Sequence, residues 1–253
     1  HPRDALNYQI KYQNNSGVGL QDVILKVKLV GGMFDFSTIR RGPSFSSINN
    51  TLTWNASVEP KFKMLAPGDS GSVQFSIALK DAYPIKRLSD KNYILKVNAE
   101  MESPTVPYFV STDKTAALAN LETKVAGQIA VDALALYRDT VSGISNSGPF
   151  PPKVNLPTAY TIHWQIKTFA SDFKDIELRA FLLSGVNWTG KVKTANVSGS
   201  LPEFNERTSE VVWKINRLVA NQGVINKPAE AIFQISATPS VNQVEQYMPL
   251  LSE

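Results

Sequence analysis

Apolar and polar residues alternate with a period of two through most of this chain, and that pattern constrains the fold more than any other feature. Tyr8, Ile10 and Tyr12 alternate with Gln9, Lys11 and Gln13. Val23, Leu25, Val27 and Leu29 repeat the pattern, as do Val73, Phe75 and Ile77, then Tyr93, Leu95 and Val97, then Tyr160, Ile162, Trp164 and Ile166. Successive side chains of a strand point to opposite faces, so each of these segments buries one face and wets the other. The runs stop at turn-forming clusters such as Asn14-Asn15-Ser16-Gly17, Gly31-Gly32 and Ala66-Pro67-Gly68-Asp69. In the last of these, proline presets φ and glycine is free to take a positive φ. Short alternating runs between turns, with no convincing helix, predict an all-β chain of sandwiches. A single large barrel or jelly roll is the alternative.

One segment reads two ways. Leu118, Leu121, Val125 and Ile129 have helical spacing, while Ile129, Val131, Ala133, Ala135 and Tyr137 alternate strictly. The alternation favours one long strand from about 124 to 138. A loop follows from Ser142 to Pro157, where Gly148-Pro149-Phe150-Pro151-Pro152 forbids both a helix and a central strand.

An internal repeat favours two sandwiches over one barrel. Tyr8-Gln9-Ile10-Lys11 matches Trp164-Gln165-Ile166-Lys167, and Gln21-Asp22-Val23 matches Lys174-Asp175-Ile176. Leu29-Val30-Gly31-Gly32 matches Leu182-Leu183-Ser184-Gly185, and Leu52-Thr53-Trp54 matches Val211-Val212-Trp213. Val73 to Ile77 matches Ala231 to Ile235. Five blocks in one order at similar offsets indicate domain duplication, with domains over 1–115 and 116–253. Hydrophobic residues make up 43% of the 253 positions, enough for two cores. The second domain carries an extension, 116–158, expected to supply its first strand and the joint between domains. It also lacks a counterpart of the strand Tyr93–Met101, which predicts an open edge beside residues 231–237. Two sources could fill that place. One is continuation of the chain past Glu253; the other is a strand from a neighbouring subunit, with His1 to Ala5 as the candidate donor.

The residues Tyr8 to Ser16, Asp22 to Leu25, Leu52 to Asn55 and Leu65 to Ser70 together resemble the immunoglobulin-like repeat domains of bacterial and archaeal cell-surface proteins. Gly148 to Val154 and Tyr160 to Lys167 resemble related repeats in long surface chains. The second domain departs from the pattern at Val219-Ala220-Asn221, where the first has Pro67-Gly68. The resemblance implies two tandem immunoglobulin-like β-sandwiches in a secreted, wall-attached or filament-associated stalk. It implies no catalytic residues, and partners that are further subunits or repeats of the same surface protein.

The chemistry-bearing residues are few. There are no cysteines, which excludes disulfides, thiolate metal sites and a cysteine nucleophile. Of the two histidines, His1 is terminal, and His163 lies on the strand face opposite Trp164. His163 reads as a solvent-facing residue, since no second histidine or cysteine can join it as a ligand or base. No glycine-rich phosphate loop or calcium loop occurs, so no cofactor is expected. Asp69 and Asp81 are isolated acids that could at most touch calcium. The net charge is +4. The cations come only in pairs, such as Arg40-Arg41 and Lys86-Arg87, which argues against nucleic acid. No apolar run reaches the ~20 residues of a membrane helix, so no membrane contact is expected from this segment. Trp54 and Trp213 occupy equivalent places and read as core residues, with a sugar-stacking platform as the alternative. Trp188 and Phe150 lie in predicted loops without repeat partners and are the candidate ligand-binding residues. The leading expectation is a non-enzymatic extracellular stalk or filament component. An adhesin or carbohydrate-binding module using loops 142–157 and 184–200, with glycans as partners, is the second. An accessory domain of a larger secreted enzyme is the third.

Overall fold

The computed structural model describes residues 1–40, 43–199 and 201–252. Arg41 of the Arg40-Arg41 pair and Ser200 at the end of the 184–200 loop lie outside the described residues. The described residues are 51% strand and 3% helix, arranged in several sheets, none of them closed into a barrel. It divides into two compact units. One comprises His1–Pro84 and Asn92–Ala126, the other Ile85–Lys91 and Gly127–Glu253.

The first unit contains β1 (Ala5–Gln13), β2 (Leu20–Gln21), β3 (Ile24–Val30), β4 (Phe34–Arg40), β5 (Ser44–Ser46), β6 (Thr51–Trp54), β7 (Met64–Leu65), β8 (Ser70–Leu79), β9 (Ile94–Ser103) and β10 (Thr115–Lys124). One sheet has the order β1-β8-β4 and the other β10-β9-β3-β6-β5, with a short β2-β7 pair beside them. The alternation read from the sequence is the packing pattern. Leu25, Val27 and Leu29 of β3 and Val73, Phe75 and Ile77 of β8 are buried, while Lys26, Lys28 and Gln74 between them are exposed. Trp54 of β6 lies 6.2 Å from Phe75 of β8, ring to ring, so the two sheets face each other across this core.

The second unit contains β11 (Gln128–Leu136), β12 (Thr158–Phe169), β13 (Phe173–Phe181), β14 (Val186–Ala195), β15 (Glu203–Asn205), β16 (Glu210–Leu218) and β17 (Ala229–Ala237). Its sheets have the orders β11-β12-β17-β14 and β13-β16-β15. Trp213, Phe233, Ile166 and Ile235 are fully enclosed between them. Burial of each such large side chain contributes roughly 1.5–3 kcal/mol.

The units share a wiring. The run β1-β8-β4 has the order of β12-β17-β14, and β3-β6-β5 has that of β13-β16-β15. Leu25 pairs with Trp54 as Leu178 pairs with Trp213. Asp22 and Asp175 both take the left-handed conformation, at φ 47° and 51°. The missing Pro-Gly turn leaves the geometry intact, because Asn221 at φ 64° does what Gly68 does at φ 85°; asparagine tolerates that region better than other side chains. The sheets do differ in register. Tyr8 faces Phe75, whereas Trp164 faces Ala231 and Ile162 faces Phe233. A slip of two residues keeps every side chain on its own face, so the core tolerates it.

Three expectations change. The strand expected over about 124–138 is there but shorter, β11 at Gln128–Leu136, and the ambiguous segment from 118 holds a second strand, β10, before it. The segment breaks at Val125–Gly127, where a Cβ on Gly127 would meet Ser171 Cβ at 2.6 Å and the Phe169 carbonyl at 2.7 Å. Its first half, β10, pairs along its whole length with β9 in the first unit, while β11 pairs with β12 in the second. The division therefore falls after Ala126, not at 115. The edge beside residues 231–237 is not open either. β17 is a central strand, paired with β12 on one side and β14 on the other. The physical reason is a sheet switch: β9 does not pair with β8 but crosses to lie beside β3.

Candidate functional site

The polar chemistry of the second unit gathers on the outer face of the sheet β11-β12-β17-β14. Alternation along β12 sends Ile162, Trp164 and Ile166 into the core and Thr161, His163 and Gln165 to the opposite face. That face is covered. The segment after β11 folds back over it, so His163 is only 5% exposed. His163 is therefore buried and not, as its place on the strand suggests, solvent-facing.

Each nitrogen of the His163 ring meets a carboxylate. Nε2 lies 2.8 Å from Asp139 Oδ2, and Nδ1 lies 2.9 Å from Glu230 Oε1. The Asp139 side chain is almost wholly enclosed and that of Glu230 largely so. The Asp139 carboxylate also accepts the backbone N–H groups of Val141 and Ser142, which closes a tight turn. Gln165 donates its amide to Glu230 at 2.8 Å. Burial opposes a charge on His163, but the hydrogen bonds to Glu230 and Asp139 outweigh it and hold the pKa above the ordinary histidine value. Burial likewise opposes charge on Asp139. The hydroxyl and N–H of Ser142, together with His163, overcome it and bring the pKa down to about 2. The three groups thus form a carboxyl–imidazole–carboxyl triad, with one carboxyl group at each ring nitrogen. The carboxylates sit at opposite edges of the ring, so they cannot share one ion with it. Among the described residues no group of three or more His, Cys, Asp or Glu could hold a metal ion.

Neutral hydrogen bonds extend the seam. Asn146 donates to the carbonyls of Leu136 and Tyr137 and to Thr161 Oγ1. Gln234 of β17 donates to the Ser145 carbonyl and to Asn146 Oδ1. Lys193 of β14 donates to the Ser142 carbonyl at 2.6 Å. Tyr137 and Thr158 bond the carbonyls of Gly148 and Pro149. A long loop carrying no strand of its own must have its backbone groups met somewhere, and here the outer face of the sheet meets them. The arrangement holds a strap on a sheet. The sequence signal for it was faint: a polar outer face on β12, an Asp139-x-x-Ser142 turn, and the unusual length of the loop.

The aromatic candidates fall in different places. Trp188 is not in a loop but in β14, and it has a counterpart after all. It stacks on Phe204 of β15, centroids 5.3 Å apart and planes at 16°, as Phe36 of β4 stacks on Phe45 of β5 at 5.8 Å and 15°. It also meets Phe233 at 5.2 Å, so it closes the rim of the core. The predicted loop 184–200 is mostly this strand. Phe150 is in the loop as expected, 60% exposed and stacked on Tyr137 at 4.5 Å. Tyr137 in turn meets Tyr160 at 6.2 Å. Tyr160 borders an open, mainly apolar groove of about 430 Å³, also lined by Ala135, Pro152, Val154, Val244 and Leu250. Trp54 and Trp213 are 4% and 0% exposed, which places both in the cores and removes the sugar-platform alternative. Asp69 accepts the Ala66 N–H within its turn, and Asp81 lies beside Arg3 on the surface.

No protein-family model matches the chain, and no curated protein matches it by sequence. Among solved structures, the C-terminal domain of the Streptococcus agalactiae antigen I/II polypeptide BspA is 12% identical with a TM-score of 0.33, covering 94% of this chain and 85% of that one. The C-terminal domain of the Streptococcus pyogenes antigen I/II-family protein AspA is 12% identical with a TM-score of 0.35, at the same coverage. Likenesses this weak bear on neither the mechanism nor the partners of this chain.

Proposed function

We propose that this chain is a non-enzymatic structural segment of an extracellular surface protein, a stalk or filament element built of immunoglobulin-like sandwiches. Its partners are further units of the same kind. The observation that carries this reading is the use made of the ionisable groups. The one internal histidine, which a catalytic site would need free, has both ring nitrogens bound by carboxylates and serves to fasten a loop. Two successive units of like wiring, each enclosing its own tryptophan-centred core, suit a spacer that bears load without chemistry. Pulling the chain by its two ends in a force spectrometer should give two separate unfolding events, and antibodies to it should label the outside of intact source cells. Labelling confined to the cell interior would overturn the proposal.

A carbohydrate-binding or adhesive role is the second reading. The exposed Phe150 ring stacked on Tyr137, which in turn meets the groove-lining Tyr160, favours it. Aromatic faces of this kind stack against sugar rings. A glycan array should then give a signal that Phe150→Ala abolishes; an array without signal removes this reading.

A further inference from the structure

The second unit departs from the repeat at Val219-Ala220-Asn221, and the departure has a use. Each unit closes a tight turn against the residue after its first repeated strand. The Asn14 N–H donates to the Asp69 carbonyl at 2.8 Å, and the Thr168 N–H donates to the Gln222 carbonyl at 2.9 Å. Gly68 and Asn221 therefore hold the same place, both at positive φ. A Cβ on Gly68 would meet nothing within 4 Å, so the first turn faces open space there. Asn221 is 0% exposed, and both polar atoms of its side chain are spent on backbone. Its oxygen accepts the Ala170 N–H at 2.9 Å. Its nitrogen donates to the carbonyls of Arg87, Leu88 and Asp90, at 3.2, 3.3 and 2.8 Å.

Those three carbonyls belong to Ile85–Lys91, a segment that precedes β9 in sequence but is part of the second unit. The segment is a compact turn held by its own bonds. Asp90 Oδ2 accepts the N–H groups of Lys86 and Arg87 at 2.8 and 2.9 Å, and the Asp90 N–H donates to the Arg87 carbonyl at 3.1 Å. Asp172 takes the end of the turn. Lys91 donates to both of its carboxylate oxygens, at 2.9 and 3.0 Å. The Ala220 N–H and Arg217 bind the same carboxylate at 2.9 Å each. Lys91, the Ala220 N–H and Arg217 hold the Asp172 pKa down to about 2 against the opposing effect of burial. A glycine at 221 would serve the turn as Gly68 does, but it would offer the segment no donor. Buried carbonyls without a donor are costly, and the asparagine supplies one.

We propose that Asn221 and Asp172 form a recognition site for a compact peptide turn ending in a lysine, and that Ile85–Lys91 is the ligand it holds. The site reads shape through the backbone. Carbonyls of Arg87, Leu88 and Asp90 converge on one amide only when the segment is folded as this turn, and Asp172 reads the Lys91 cation. Leu88 is recognised through its carbonyl, while its side chain is 43% exposed. The sequence of the segment shows what the holding is worth. Lys86, Arg87 and Lys91 bring three cations that a trypsin-like protease cuts after into one short connection. Loop tips are where such nicking concentrates, and a segment fastened as a turn is withheld from a protease cleft that takes extended chain. The site serves a stalk and a sugar-binding module alike.

The test is trypsin digestion of the full folded chain, with cleavage after Lys86, Arg87 and Lys91 measured by mass spectrometry against cleavage after Arg207. Arg207 lies in an exposed turn of the same unit, so it reports opening of the unit as a whole. Asn221→Gly gives the second turn the residue that the first one has. Combined with Asp172→Asn, it should raise cleavage of the segment roughly ten-fold or more relative to Arg207. Lys91→Gln should raise cleavage after Lys86 and Arg87, and Lys91→Arg should restore protection there. Leu88→Ala, which alters none of the carbonyls, should leave cleavage after Lys91 unchanged. Unchanged cleavage in the double variant, or a rise no larger than that at Arg207, overturns the proposal. A Leu88→Ala effect as large as that of the double variant overturns the reading of shape through the backbone.

Discussion

Replacing His163 with glutamine removes the ring that bridges two enclosed acidic side chains. The Asp139 side chain is 1% exposed and that of Glu230 is 15% exposed, so solvent is poorly placed to take over the role of the ring. Removing one partner of a buried ion pair typically costs about 3–5 kcal/mol, because the other charge is left without compensation. Asp139 keeps the N–H groups of Val141 and Ser142, and Glu230 keeps Gln165, which places the expected cost near the lower end, about 3 kcal/mol. In a unit of this size that lowers the melting temperature by about 10 °C. Differential scanning calorimetry reads it directly, with the first unit's transition as internal reference. The pH dependence is a second, independent readout. His163 has a raised pKa in the folded state, so its stabilisation is complete below the unfolded value of about 6.5 and is lost as pH rises through the higher folded value. Asp139 has a folded pKa of about 2, so its contribution is present above the unfolded value of about 3.9 and is lost as pH falls through about 2. The wild-type second unit is thus most stable between these limits, and His163→Gln should flatten the alkaline limb. Adding Asp139→Asn to His163→Gln should recover part of the loss, since the pair is then neutral. A second-unit transition within about 1 kcal/mol of wild type, with an unchanged alkaline limb, would refute the triad as a fastening of the strap.

Trp213→Ala should destabilise the second unit by about 3–5 kcal/mol, and Trp54→Ala the first by a similar amount. Each should move only its own calorimetric transition, because each indole lies within one core. Asn221 at φ 64° accepts the Ala170 N–H with its side-chain oxygen at 2.9 Å, and both residues are fully buried. Asn221→Gly keeps the turn but orphans that N–H, so urea unfolding should report a loss of about 1–3 kcal/mol. Asn221→Ala should cost about 1–2 kcal/mol more, through left-handed strain; equal losses for the two variants would show that the backbone conformation is not what asparagine provides.

The alternation Tyr8-Ile10-Tyr12 and its successors determined by themselves that the chain is all-β, and which side chains point inward. Facing is a local property: adjacent residues of a strand point opposite ways whatever they pair with. The spacing of Trp54 and Trp213 within their blocks likewise marked two cores, since a large apolar side chain at equivalent places in two segments has to be enclosed in each. Partners are not local, and only the tertiary structure decided them. Nothing in Ile94–Ser103 says that it lies beside β3 instead of β8, because both edges present the same backbone groups to an alternating strand. That choice moved the open edge from residues 231–237 to Phe173–Phe181. The same limit applied to His163. Its position opposite Trp164 was legible, but the cover over that outer face comes from Asp139 to Pro149, held by hydrogen bonds to strands as distant in sequence as Gln234. A polar residue on a strand's outer face has the same sequence pattern whether water or a folded-back loop lies above it, and only the fold places the two carboxylates at its nitrogens.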